Sequence, residues 1–173
     1  MKLALIAFAV ALLVAGCGGT KTVTVTTDAN AKTGAGPPGE QVEYGFIKSL
    51  KASGNTFVLK FDPALLVSGV TANVAQAEDQ GTTCAPSACP PVANDNYVIN
   101  EGHRLVTYLV PANARVTALT TGVAGTRITV AQLAGIVNGK NPLGHPLWEG
   151  LDTGVWIRVK IDTVIAVDQQ YHP

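Results

Sequence analysis

Apolar positions along the chain change their period several times. Residues 3–14 (LALIAFAVALLV) form one unbroken apolar run. Residues 21–27 (KTVTVTT) alternate with period two, as a strand does, but only Val23 and Val25 are apolar. From residue 42 the texture becomes that of a folded domain. Residues 42–50 (VEYGFIKSL) alternate loosely, "KASG" at 51–54 signals a turn, and 55–61 (NTFVLKF) put Phe57, Leu59 and Phe61 on one face. This pair reads as an antiparallel hairpin, ended by Asp62-Pro63. Residues 71–79 read as a short helix, with Val70, Val74 and Ala77 on one face and Gly81 as a stop. Residues 105–110 and 114–119 read as strands split by Pro111. Residues 129–138 carry the strongest helical pattern. Thr129 and Gln132 form a T-x-x-Q capping box, Gly139 stops the helix, and Val130, Leu133, Ala134 and Val137 make the buried stripe. Near the end, Val155, Ile157, Val159 and Ile161 alternate with polar or aromatic neighbours, Asp162-Thr163 turns, and 164–167 return as a partner strand.

About six strands and two short helices result, too few helices for βαβ units. The expected fold is mostly β: a small antiparallel, partly open OB-like barrel with helix plugs. A flat α+β sheet is the alternative.

The apolar run is too short for a bilayer span, which needs about 20 residues, and has the length of a secretory h-region. It follows Met1-Lys2 and ends in Val14-Ala15-Gly16-Cys17. This ending resembles the lipobox of bacterial lipoproteins, with Cys17 at its invariant position. The resemblance implies removal of residues 1–16, a covalent diacylglyceryl group on the Cys17 thiol, and attachment to the extracytoplasmic face of the cell membrane. Two acyl chains anchor firmly where one is marginal. Residues 17–39 then form the lipidated cysteine and a tether rich in Thr, Gly, Ala and Pro, and 40–173 form the domain. As a flexible chain the tether spans about 26 Å, and about 75 Å at full stretch. An added edge strand is the other reading of 21–27, and its threonines are candidate O-glycosylation sites.

Composition narrows the function classes. Charged residues are only 14% of the chain, and Lys+Arg equals Asp+Glu at 12 each. No basic stripe is present, which argues against nucleic-acid binding. With Cys17 acylated, Cys84 and Cys89 are the two remaining thiols of an exported chain, and a disulfide is the natural reading. A redox pair or metal site is the alternative, although the spacing is C-x4-C and a convincing set of four zinc ligands is missing. His103, His145 and His172 lie in unrelated segments. Residues 94–96 and 100–101 are rich in Asn, Asp and Glu but lack the D-x-D-x-D-G spacing of a calcium loop, so turn formation accounts for them. Glu78-Asp79 ends a helix against its macrodipole, which marks either a loop contact or a frayed end. Nucleophile-elbow, phosphate-loop, zinc-protease and dinucleotide motifs do not occur. The most suggestive stretch is 139–150 (GKNPLGHPLWEG), a long loop with large apolar groups. His145, Leu147 and Trp148 are its candidate binding residues. Trp148 either folds back as a lid or anchors a partner.

In order, "AEDQG", "NDNYVINEGHRLVTYLV", "ITVAQL" and "DQQYHP" resemble a loose family of uncharacterised exported lipoproteins of Gram-positive bacteria. Asn96 stands where such proteins often carry an aromatic residue, and the insertion holding Cys84 and Cys89 departs from their pattern. The family carries no established activity, so no site residue transfers. The sequence therefore predicts a non-catalytic binding or cell-envelope accessory module, with membrane lipid as partner through Cys17 and an envelope protein or small ligand at the domain. A small hydrolase or metal-dependent enzyme is the alternative, and requires some of Glu78, Asp95, Glu101, His103 and His145 to converge. A solute-binding lipoprotein is a further alternative, for which the domain is small. No metal or dissociable cofactor is expected.

Overall fold

Two long strands, β1 (Gln41–Ser53) and β2 (Thr56–Ser68), form the hairpin on which the fold is built. Gly54, at φ +60, opens its two-residue turn, where a side chain would be strained. The computed structural model describes residues 39–102 and 104–172. The leader, Cys17, the tether through residue 38 and His103 lie outside them. All described residues belong to one compact unit.

The expected strand end at Asp62-Pro63 does not occur: β2 runs on to Ser68. Its outer partner changes there instead. Residues 56–61 pair with β4 (Val106–Pro111), and residues 65–68 pair with β3 (Asn96–Ile99). Pro63 falls between the two ladders, where its missing N–H removes no bond from either. Before β3 come α1 (Gly69–Asp79) and the insertion carrying the cysteines. The buried positions of α1 are Ala72 and Ala77, whereas Val70 is 54% exposed, so the stripe is rotated from the one expected.

After β4 come β5 (Arg115–Ala118), β6 (Thr126–Ile128), α2 (Val130–Val137), β7 (Val155–Lys160) and β8 (Thr163–Gln169). The order β1-β2-β4-β8-β7 returns to β1 and closes a five-stranded barrel. Within the barrel every pairing is antiparallel except β4 with β8, which meet in parallel at Leu109 and Thr163. The chain kinks after Pro111, and β5 then pairs with β8 in parallel, carrying β6 along as an outer strand. This is an OB-like barrel with a helix between its third and fourth barrel strands, closed at a narrow seam. Among the described residues, no helix is long and apolar enough to cross a membrane.

The interior is filled from every strand of the barrel and from α2. Phe61, Leu50, Leu59 and Ile157 are at most 1% exposed, and each such burial contributes about 1.5–3 kcal/mol. Gly45 permits a close crossing of β1 over β2. A Cβ there would stand 2.2 Å from the Asp62 carbonyl oxygen and 2.9 Å from Phe61 Cζ. The Thr129–Gln132 capping box forms as expected, with reciprocal bonds of 3.1 and 2.9 Å. Val130, Leu133 and Ala134 are buried beneath it. The alternation of β7 stops one residue early. Ile161 lies in the turn before β8, not on the core face, and is 85% exposed.

Candidate functional site

The long loop 139–152 begins where α2 stops. Gly139 adopts φ +74, its amide donates to the Ile136 carbonyl at 2.9 Å, and the Lys140 amide donates to the Gly135 carbonyl at 2.9 Å. Leu143, Leu147 and Leu151 pack against the core from this loop. Gln169 on β8 holds its far limb: its Nε2 donates to the carbonyls of Glu149 (2.7 Å) and Gly150 (2.9 Å). The Gln169 Oε1 accepts from the Leu119 amide at 2.9 Å, and the Trp148 amide donates to the Leu119 carbonyl at 2.8 Å.

The opposite wall comes from β1. A bulge between Ile47 and Ser49 lets both Ile47 and Leu50 face inward, opposite Phe61 and Leu59, while Lys48 is left on the outside. A groove of about 860 Å³ lies between this bulge, the end of α2 and the loop. That volume falls in the ~300–1,000 Å³ range of small-molecule sites. Phe46, Ile47, Ile136, Val137, Leu143 and Leu147 supply its apolar lining.

Polar groups gather at one part of the rim. Lys48 lies 3.0 Å from the Asp62 carboxylate, which is 6% exposed, and 5.6 Å from the centre of the Phe46 ring. Asn100 donates to the same carboxylate at 3.3 Å. Pairing offsets the desolvation of this buried charge. Lys140 and Asp152 also line the groove.

Of the three loop residues singled out from sequence, His145 and Leu147 line the groove. His145 is exposed, with Nδ1 at 2.9 Å from its neighbour's carbonyl, Pro146 O. Trp148 is not a lid: its side chain points outward, 62% exposed, and the leucines cover the barrel instead. Phe46, Lys48 and Asn100 join the groove without any sequence signal, because a bulge and a distant strand bring them there.

A smaller cleft of about 270 Å³ opens where β1 and β2 part, lined by Val42, Tyr44, Leu65, Leu66 and Trp156 among others. The Tyr44 hydroxyl donates to the Thr153 carbonyl at 2.6 Å, and its ring lies 5.1 Å from that of Trp156. Burial, then the negative charge of Glu149, pushes the Tyr44 hydroxyl up to about 12. Tyr108 also reaches about 12, through burial first and then its bonds of 3.0 and 2.9 Å to Glu43.

The acids considered for catalysis are spread over the fold. Glu78 lies in the last turn of α1, Asp95 sits in the turn before β3, Glu101 follows β3, and His145 is on the groove loop. Asp79 accepts from the Tyr97 hydroxyl at 2.7 Å, which explains an acid at that helix end. Asn94 and Asp95 adopt φ of 57 and 55, the left-handed turn conformation such residues tolerate. Among the described residues, no group of three or more His, Cys, Asp or Glu could hold a metal ion. His172 is partly buried beside Glu149, whose carboxylate accepts from its amide at 3.2 Å, a pairing without sequence signal. Cys84 and Cys89 form a disulfide with Cα atoms 5.3 Å apart, in the insertion beside α1 and away from the groove.

The fold and groove together define a small OB-like barrel with a lateral apolar site. Comparison with protein-family models, with curated proteins and with solved structures finds no match.

Proposed function

We propose that this chain is an extracytoplasmic lipoprotein, held to the cell membrane by a diacylglyceryl group on Cys17, whose barrel is a non-catalytic binding module of the cell envelope. The groove beside loop 139–152 is its ligand site. The observation that carries this reading is the groove itself: about 860 Å³, walled mainly by apolar side chains, with Lys48, Asn100 and Lys140 as orienting polar groups. Its ligand is a small apolar or amphiphilic molecule, or an apolar side chain of an envelope protein.

Amide chemical-shift mapping against a panel of small amphiphiles tests the site. Shifts should cluster at 46–48 and 136–152, and Leu147→Asp should remove them while the remaining spectrum is preserved. Shifts that persist unchanged in that variant, or a panel that leaves 46–48 and 136–152 unperturbed, refute the groove as the site. Palmitate labelling of the full chain tests the anchor separately, and Cys17→Ser should abolish it.

A further inference from the structure

The turn between β7 and β8 is an unusual place for isoleucine. Ile161 and Asp162 adopt φ of 46 and 56, the pair of left-handed residues of a type I′ turn. Glycine and asparagine suit those positions, whereas a β-branched residue there is an outlier. Ile161 is also 85% exposed, so packing does not hold it in place. Backbone strain and apolar exposure coincide at one hairpin tip, a combination that points to function.

The surroundings of the tip are defined by register. Leu109, 49% exposed, donates its amide to the Asp162 carbonyl at 3.0 Å. One cross-strand row on the barrel's outer face runs Lys51, Val58, Leu109, Thr163, Lys160. Its centre is apolar or uncharged, and each end is an exposed lysine. Apolar groups flanked by lysines fit the boundary between acyl chains and anionic headgroups. Asp162, exposed in the turn, is the acid within this row and tip, and Glu40 lies beside them, just before Gln41 at the end of β7.

The position of the tether decides what lies opposite. Gln41 pairs with Val159, so the start of β1 lies beside the end of β7 and next to the tip. The chain from Cys17 joins the barrel there, and its r.m.s. reach of about 26 Å keeps that end near the membrane.

We infer that Ile161 and Leu109, flanked by Lys51 and Lys160, form a membrane-contact surface that seats the barrel on an anionic bilayer. This rests on the reading of Cys17 as the lipid anchor. It fixes an orientation: the tip enters the headgroup layer, while the ligand groove is formed by other segments. The occupant is lipid, not a second protein, because the lipid anchor holds the neighbouring chain end at that surface.

The full chain, processed in a bacterial host, carries the test. With Cys17 acylated and Cys84 bonded to Cys89, Ile161→Cys supplies one free thiol for an environment-sensitive fluorophore; Gly144→Cys on the groove loop is the comparison. Both are reconstituted on phosphatidylcholine vesicles containing phosphatidylglycerol, with nitroxide-labelled headgroups as quencher. The label at 161 should shift to the blue and lose emission, and the label at 144 should do neither. Charge reversal of Lys51 and Lys160 to Glu should restore emission at 161. A chain that floats with vesicles while its 161 label stays unquenched overturns the contact surface and leaves the anchor standing. Equal quenching at 161 and 144 also overturns it. A chain that does not float with vesicles overturns the anchor, and the contact surface with it.

Discussion

Replacing Ile161 with asparagine should make the protein more stable. At φ 46 the isoleucine backbone is left-handed, and for residues other than glycine that conformation costs about 1–2 kcal/mol. Asparagine relieves much of this cost because its short polar side chain bonds locally. The loss on the other side is small: at 85% exposure, Ile161 has little buried surface to forfeit. The net gain should be about 1 kcal/mol, which raises the melting temperature by about 2–6 °C for a domain of this size. Thermal unfolding followed by circular dichroism, with urea titration as a second measure, reads the change. The slope of the urea transition should stay constant while its midpoint rises. An unchanged or lowered melting temperature refutes the strain argument, because so exposed a side chain has little packing with which to offset the relief. The same substitution should weaken the seating of the tip on anionic vesicles. A single change that raises stability and weakens membrane binding is the trade expected when strain serves a function.

Gly45→Ala should destabilise the fold by about 1–3 kcal/mol, since the new Cβ would meet the Asp62 carbonyl oxygen at 2.2 Å and backbone has to shift; equilibrium unfolding measures it, and an unaffected midpoint would show that β1 and β2 can part there cheaply. Reducing Cys84–Cys89, or replacing both by serine, should cost about 2 kcal/mol for so short a closed loop. Hydrogen exchange should then rise in α1 and β3 and stay low in β7 and β8. In alkali, the raised values of Tyr44 and Tyr108 set the sign. Both stay protonated in the folded state to about 12 against 10 unfolded, so the folded form holds more protons between those values and stability falls as pH rises through that window. Tyr44→Phe and Tyr108→Phe should each flatten that fall in pH-dependent urea unfolding, and an unaltered profile would remove tyrosine as its source.

The elements legible in the sequence are those whose signal is local. The capping box of α2 and the alternation of β7 through Lys160 are each complete within a few residues, and both form; the turn expected at 51–54 falls at Gly54-Asn55 instead, with Lys51 to Ser53 still paired in β1. β3 and β6 are not legible, because neither 96–99 (NYVI) nor 126–128 (TRI) alternates apolar with polar positions, whereas 115–118 (RVTA) in the equally short β5 does. The turn at Ile161 contains neither glycine nor asparagine, so the alternation of β7 runs on through it in sequence and the turn reads one residue late. Pro63 reads as a strand end because proline breaks a central ladder, yet here the neighbouring strand changes at that residue and β2 continues. The disulfide, by contrast, forms as the thiol count leads one to expect once Cys17 is set aside. Half of the groove is legible: a long loop with leucines and a histidine announces itself by composition. Its other half, Phe46 to Lys48 with Asn100, depends on a bulge and on a strand pairing separated from the loop by many residues.

The placement of the groove follows from how this barrel distributes its loop length. OB-fold barrels commonly bind ligands across the second and third strands, between the loop that joins strands one and two and the loop that joins strands four and five. Here both loops are two-residue turns, at Gly54-Asn55 and Ile161-Asp162. Turns that short cannot reach over a bound oligomer. The strand face between them carries Lys51, Val58 and Leu109, and none of these residues lines the larger groove or the smaller cleft. Length has gone instead to loop 139–152, between α2 and β7, and the larger groove lies there. The face used for polymers in open OB barrels is here bounded by two short turns, and the Ile161 tip is strained, apolar and next to the start of β1. Under the anchoring proposed through Cys17, a barrel held at that end keeps the groove beside loop 139–152 clear of the bilayer while its short-loop end rests on it.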